Sequence, residues 1–363
     1  MLKALVLNVD MRYQNKIVLI TLALLTVCGC VDKTDEYRLP EFDIEVEMKA
    51  EVLSEDIGFN VIKDVLLYKD CIIVLAYDAI TDKNVHIYDK SSGKHLCSAI
   101  HTGRGPSEIL GYFKEGQIDQ ESGVLTIFDS QQKSFLNIDV DELLNEQRID
   151  VESVPILECS AWTRHVFNLD STHHIRVSNV GFASCDTLTK RYEITDLSGA
   201  KIGVSDISHV DDVMERFYVY ESACMGVSPD GLTLAVGTPY GAVLEIYSLC
   251  SRGIEQKYVG RYVKPSAEFA TKGSDFIQTV LGFGDIFVSE DKIYSSYDGE
   301  IVGNRTSSDV FHRIAVWSTD GDAIKMVKTD KTVEKVCYDS SERSLYAVVS
   351  DDEGNYIAVF RGI

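Results

Sequence analysis

Val85-His-Ile-Tyr-Asp-Lys-Ser-Ser-Gly93 is a short alternating run that ends in a polar turn. β-Branched residues at every second position read as a half-buried strand, and the Asp/Ser/Gly cluster behind them reads as a tight reversal. The unit recurs along the chain. It appears as Phe135-Leu-Asn-Ile-Asp139, as Tyr192-Glu-Ile-Thr-Asp196 before Leu-Ser-Gly, and as Leu244-Glu-Ile-Tyr-Ser248. Ile314-Ala-Val-Trp-Ser318 precedes Thr-Asp-Gly, and Ile357-Ala-Val-Phe360 stands near the C-terminal Ile363. With Ile87, Ile138, Ile194, Ile246, Val316 and Val359 as markers, the spacings are 51, 56, 52, 70 and 43 residues. A period near fifty, several strands per unit and scarce helical periodicity after residue 42 form the pattern of a β-propeller.

Six markers predict an all-β, six-bladed β-propeller with four antiparallel strands per blade. Two strands precede the marker in each unit where they can be named: Val65–Tyr68 and Cys71–Tyr77, Gly116–Asp119 and Val124–Phe128, Met225–Ser228 and Leu232–Val236. The last pair is joined by Ser228-Pro-Asp-Gly231, whose Pro and Gly suit a type I turn. Gly226-Val-Ser228 is not a nucleophile elbow, because Asp230 stands where the second glycine belongs. The sixth unit lacks an outer strand. Phe42-Asp-Ile-Glu-Val-Glu-Met48 alternates apolar and acidic residues as an exposed edge strand does. It is expected beside Ile357–Phe360, where it would complete the last blade and close the ring.

The chain has 363 residues, 35 Lys and Arg against 57 Asp and Glu, and a net charge of −22. That balance excludes a basic nucleic-acid-binding face. A hydrophobic content of 45% with 6 Pro excludes a disordered or collagen-like chain. Arg12 and Lys16 precede the uncharged run Ile17–Val27, which is too short for a spanning helix and reads as a secretory signal, with Met11 as its start. Val27-Cys-Gly-Cys30 resembles a bacterial lipobox, which implies cleavage before Cys30 and lipidation there. The expected organisation is a signal peptide over 1–29, a polar tether over 30–41 and a propeller domain over 42–363. The expected address is the outer membrane, facing the periplasm or the surface, with membrane contact through the lipid anchor only.

Seven other cysteines would remain after loss of Cys28, none in a C-x-x-C pair, so a zinc ribbon or a thioredoxin-type site is not expected. Several lie in apolar runs and read as small buried hydrophobes. A disulfide is open in an exported protein, but no pair is named by sequence.

His101-Thr-Gly-Arg-Gly-Pro-Ser-Glu108 follows the outer strand of the first unit, and its glycines and proline specify a tight turn. This signature, the lipobox and the six four-stranded units together resemble the TolB-like six-bladed β-propeller lipoproteins. The resemblance covers residues 30–363 and implies fold and envelope address, with no general catalytic assignment. The family usually carries Gly after the Pro, where this chain has Ser107. Arg104 and Glu108 either lock the junction between the first two blades or line a ligand site.

Loops from each outer strand to the next blade share a face with the loops between second and third strands. These are long at 209–222, 264–281, 179–191 and 297–312, and the Arg104 loop spans 101–113. The turns of the other face are mostly tight, so the elaborated face is where function is expected. Its candidate ligand contacts are Arg104, Glu108, Trp162, Arg164, Lys264, Phe283, Asn304 and His312, although Trp162 and Phe283 also suit packing between blades. His173 and His174 are adjacent, so in a strand they point to opposite faces and cannot chelate together. No catalytic set, metal site or cofactor is read. The leading expectation is a non-catalytic binding module for a peptide, glycan or envelope protein. The alternative is a metal-dependent hydrolase or lyase of the lactonase-like propeller type, with Glu108, Asn304 and Asp309 as the residues to consider.

Overall fold

Each marker residue lies within the third strand of a four-stranded antiparallel unit, and the six units follow one another along the chain. The structure is a computed structural model. It describes residues 39–363 except 60, 106, 111–112, 147–150, 157–162, 179–190, 197, 206–219, 221, 251–252, 261–279 and 305–309. Cys30 and the tether before residue 39 lie outside the described residues.

Two short strands come first, β1 (Ile44–Met48) and β2 (Glu51–Val52). Blade one is β3 (Ile62–Tyr68), β4 (Cys71–Asp78), β5 (Lys83–Asp89) and β6 (His95–His101). Blade two is β7 (Gly116–Ile118), β8 (Val124–Asp129), β9 (Ser134–Asp139) and, after helix α1 (Val140–Glu146), β10 (Val151–Pro155). Blade three is β11 (Thr163–Asn168), β12 (His173–Ser178), β13 (Tyr192–Asp196) and β14 (Lys201–Ser205). Blade four is β15 (Cys224–Val227), β16 (Thr233–Gly237), β17 (Leu244–Cys250) and β18 (Gly253–Gly260). Blade five is β19 (Phe283–Val288), β20 (Lys292–Tyr297), β21 (Arg313–Ser318) and β22 (Ala323–Thr329). Blade six contributes β23 (Thr332–Asp339), β24 (Ser344–Asp351) and β25 (Gly354–Arg361).

The apolar run Cys71–Ala76 shows why the blades stack. Ile73 and Leu75 pack toward blade two, whereas Ile72 and Val74 pack toward blade six. A strand buried on both faces reads as a continuous apolar stretch. Every junction has its own apolar cluster among the described residues. The one between blades two and three is the smallest, built on Phe128, Phe135, Ile156 and Val166. There Gln117 acts as a surrogate backbone, donating to Asn168 O at 3.0 Å and accepting from Asn168 N at 2.6 Å. Between blades three and four, a fully buried Glu245 receives Arg191 at 2.7 Å and the hydroxyls of Tyr220 and Tyr247 at 2.5 and 3.0 Å.

The ring is closed by the N-terminal region, but by a later segment than the alternation predicts. Phe42–Met48 does not lie beside Ile357–Phe360. Instead β1 pairs in parallel with β22, from Ile44↔Lys325 to Met48↔Thr329, and gives blade five a fifth strand. Phe42 holds it there, with its ring edge-on to Trp317 at 4.9 Å. The closing strand is β2, antiparallel to β25 through Glu51↔Val359 and Val52↔Ala358. Leu53 N and Ile57 N then donate to Ile357 O and Asn355 O, each at 2.8 Å. Leu53 and Ile57 pack into the cluster shared by blades six and one, whereas the apolar side of β1, Val46 and Met48, covers the cluster between blades five and six. Blade membership, and with it the sorting of loops onto two faces, is unchanged.

Helix α1 is a second departure, since it sits on the face expected to carry tight turns. Asp139 accepts the Glu142 N–H at 2.8 Å as an N-cap, and Leu143 is buried. The Ser228–Gly231 turn forms as expected: Gly231 N donates to Ser228 O at 2.8 Å, with Gly231 at φ +70°. Among the described cysteines Cys71, Cys97, Cys224, Cys250 and Cys337 are free thiols, and Cys71 and Cys337 are buried.

The two N-terminal strands make separable predictions. Leu53→Pro removes an amide that bonds blade six and should cost about 1–3 kcal/mol, with faster hydrogen exchange across Ile72–Ala76 and Val348. Val46→Pro should loosen the edge of blade five and the cluster it shares with blade six, and leave exchange across Ile72–Ala76 unchanged. Equal damage from both in urea unfolding and exchange would refute β2 as the closing strand.

Candidate functional site

The first strand of every blade faces one central channel, a cavity of about 1160 Å³. Each of these strands brings a polar or chemically reactive side chain to its wall: Asp64, Glu115 just ahead of β7, His165, Cys224, Asp285 and Lys335. In four blades the register slips at the same place, between Ile62 and Asp64, Thr163 and His165, Phe283 and Asp285, and Val333 and Lys335. Such β-bulges insert an extra residue and re-aim the side chains beside it. At the first of them Lys63 also reaches the channel.

These groups form two networks. Lys335 Nζ lies 2.8 Å from Asp285 Oδ1, and the other Asp285 oxygen accepts Val336 N–H at 2.9 Å. Asp64 accepts Gly116 N–H at 2.9 Å from the next blade and its neighbour Val65 N–H at 2.8 Å. Across the channel wall, His165 Nδ1 lies 2.7 Å from Glu115 Oε1, and Lys114 Nζ lies 3.3 Å from His165 Nε2. An ammonium can only donate, so Nε2 accepts and the imidazole proton sits on Nδ1, facing Glu115.

The surroundings set the protonation states. Burial, reinforced by the charge of Asp285, raises the Asp64 carboxyl to about 8. Asp64 is therefore largely neutral at pH 7. Burial lowers Lys335, but the Asp285 carboxylate outweighs it and the net shift is upward. Burial and then Asp285 push the Cys224 thiol up, so it stays protonated and is a poor nucleophile. Burial and the charge of Lys335 lower Lys63. Among the described residues no three His, Cys, Asp or Glu side chains are grouped closely enough to hold a metal ion.

The sequence-predicted residues fall elsewhere. Glu108 turns back into its own loop, accepting Gly105 N–H at 2.6 Å, and a Cβ at Gly103 would stand 2.0 Å from its carboxylate. The two glycines make room for Glu108, while Arg104 is exposed with no hydrogen-bond or ion-pair partner among the described residues. Gln132 Nε2 donates to Glu108 O at 2.8 Å, so the loop is tied to blade two. Phe283 is 1% exposed and packs with Tyr297 and Trp317 inside the cluster between blades four and five. Asn304 is exposed on a short 3₁₀ turn, and His312 leans on β23 with Nε2 3.5 Å from Thr332 Oγ1. Trp162, Lys264 and the side chain of Arg164 lie outside the described residues, as does Asp309. Arg104 and Glu108 share one loop and Asn304 and His312 another, and no described contact joins the two pairs.

Six radial sheets around a polar channel define a six-bladed β-propeller. The sequence matches the model of the TolB-like 6-blade propeller-like family over residues 42–341, and the chain belongs to that family. Among solved structures, a DUF4221 family member from Bacteroides vulgatus superposes with a TM-score of 0.54 at 11% identity, covering 85% of this chain and 94% of that one. A candidate exported protein from Bacteroides fragilis gives 0.53 at 13%, covering 87% and 98%. A luciferin-regenerating enzyme gives 0.50 at 12%, covering 86% and 95%. At these identities the likeness is one of fold. None of the curated proteins matches the sequence. No described helix is long and apolar enough to cross a membrane.

Two measurements test this geometry. Asp64 holds its proton in the folded state up to about pH 8, whereas the unfolded chain releases it near the ordinary carboxylate value. Its stabilising contribution is complete below that ordinary value and is lost as pH rises through about 8. Urea unfolding of the native chain should therefore show a falling stability between pH 5 and 8, by at most ~1.4 kcal/mol per pH unit. Asp64→Asn should flatten that slope, and identical slopes would refute the assignment. Separately, Gly103→Ala and Glu108→Ala should each cost the same carboxylate–amide bond, about 1–3 kcal/mol. The double variant should cost no more than either single one in the same assay.

Proposed function

We propose that this chain is a lipid-anchored binding module of the bacterial cell envelope, which takes its ligand through the central channel. The observation that supports this most directly is the channel wall. A cavity of this volume is large enough for a drug-sized molecule. Its charged groups are arranged in hydrogen-bonded networks on rigid strands, as a preorganised recognition site requires. The Cys224 thiol stays protonated, and Glu108, the first residue to consider for a lactonase-like centre, is engaged by its own loop. Both facts favour binding over turnover. The lipobox-like Val27–Cys30 supports the anchor, and a peptide, a glycan or an envelope protein is the partner to seek.

In cells fed a radiolabelled fatty acid, the protein should carry the label and Cys30→Ala should lose it. A thermal-shift panel of peptides, glycans and small envelope metabolites should give at least one saturable stabilisation that a bulky substitution in the channel, Lys63→Trp, abolishes. Lys63 lines the channel. Saturable ligands that are indifferent to that substitution would move the site out of the channel.

A further inference from the structure

Lys63 stands apart from the other cations of the channel wall. Lys335 is paired with Asp285 at 2.8 Å, and Lys114 lies 3.3 Å from the His165 ring. Lys63 lines the same cavity and is half-buried, yet it has no hydrogen-bond or ion-pair partner among the described residues. The nearby acids are occupied. Asp64 receives two backbone N–H groups, Asp285 receives Lys335 and Val336 N–H, and Glu115 receives His165. A half-buried charge with no partner is costly, and a protein keeps one where something else supplies the counter-charge.

We propose that the channel beside Lys63 is an anion site, which takes a small ligand through a carboxylate or phosphate group held by Lys63 and flanked by Lys335. The proposal rests on the binding-module reading and names the chemistry of its ligand. Burial first, and then repulsion from Lys335, lower the titration of Lys63. An anion between them converts that repulsion into two attractions. With Asp64 neutral at pH 7, Lys63, Lys335 and Asp285 leave a net positive charge at this part of the wall. The whole chain carries −22, so this patch is locally distinct from its surroundings. Asp119, Glu121 and Asp170 follow the first strands of blades two and three, toward the opposite mouth. The channel is thus polarised, and an anionic head group is directed toward the end where the first strands begin. The cavity of about 1160 Å³ leaves room for the rest of an organic molecule behind that head group.

The test titrates the full chain with inorganic phosphate and with succinate at constant ionic strength in chloride, by calorimetry and thermal shift. Lys63→Gln and Lys63→Arg are run beside it. The native chain should bind one or both probes saturably, Lys63→Gln should weaken them at least tenfold, and Lys63→Arg should keep most of the affinity. Preference for phosphate or for succinate tells which head group the site takes, and either supports the proposal. Unsaturable shifts that are the same in all three proteins would overturn it, as would saturable binding indifferent to Lys63→Gln. If neutral glycans or peptides bind while neither anion does, the anion site falls and the binding module stands.

Discussion

A propeller blade cannot stand alone, because its sheet is apolar on both faces and must be covered from both sides. Each of the six junctions here is a separate apolar cluster. The cluster between blades six and one joins residues nearly three hundred positions apart, Val65 and Ile72 with Val348 and Ile357. Loop closure over that distance costs conformational entropy before any contact repays it. Glu51–Ile57 removes much of that cost, since it enters blade six as an outer strand and continues directly into β3 of blade one. The remaining junctions are then held in a closed circle in which each blade is covered by a neighbour on both faces.

Closure also fixes the geometry of the channel. Once the six first strands are locked at equal standing around an axis, one polar side chain from each arrives at the same wall. The bulges in β3, β11, β19 and β23 repeat at corresponding positions, which makes them a feature of the ring rather than an accident of one blade. Two of the resulting carboxylates also stitch neighbouring blades together, Asp64 to Gly116 N–H and Asp285 to Val336 N–H. The same residues therefore serve the ring and the channel, and a substitution in the channel has to be read for stability before it is read for binding.

The architecture was legible in the sequence because it depends on a repeat of apolar alternation, and Ile87, Ile138, Ile194, Ile246, Val316 and Val359 all sit in third strands. The closing strand was half legible. The alternation of Phe42–Met48 marks an edge strand, but alternation carries no information about which sheet supplies the other side of the edge. The true closing segment pairs through only two ladder residues, too few for a periodic signal. The candidate site was less legible still. Asp64, Glu115, His165, Cys224, Asp285 and Lys335 are spaced by 51, 50, 59, 61 and 50 residues, in step with the repeat. Yet each of three stands beside another charged residue, as in Lys63-Asp64, Lys114-Glu115 and Glu334-Lys335. Period-two reasoning assigns one member of such a pair to each face, and a bulge breaks that rule without any residue type that announces it. In the Arg104–Glu108 motif Gly103 and Gly105 make room for the Glu108 carboxylate within the loop, a packing role that the run of glycines does not announce.

The cost of the channel wall bears on what it is for. A ring of six strands could fill its axis with Leu, Ile and Val, and an apolar plug would stabilise by about 1.5–3 kcal/mol for each side chain buried. This chain instead places three lysines, two carboxylates and a neutralised aspartic acid there. Breaking any one of those pairs leaves a buried charge behind, so the arrangement tolerates little drift in sequence. The small apolar cluster between blades two and three lies beside the Glu115–His165–Lys114 network, and there polar contacts such as Gln117 to Asn168 take over part of the joining. Apolar stability is thus given up at the channel wall and at its adjoining seam, and the large clusters of the other five junctions carry the fold. A wall kept polar at that expense is the feature of the ring that apolar packing alone does not explain, and it is what supports the proposed binding role.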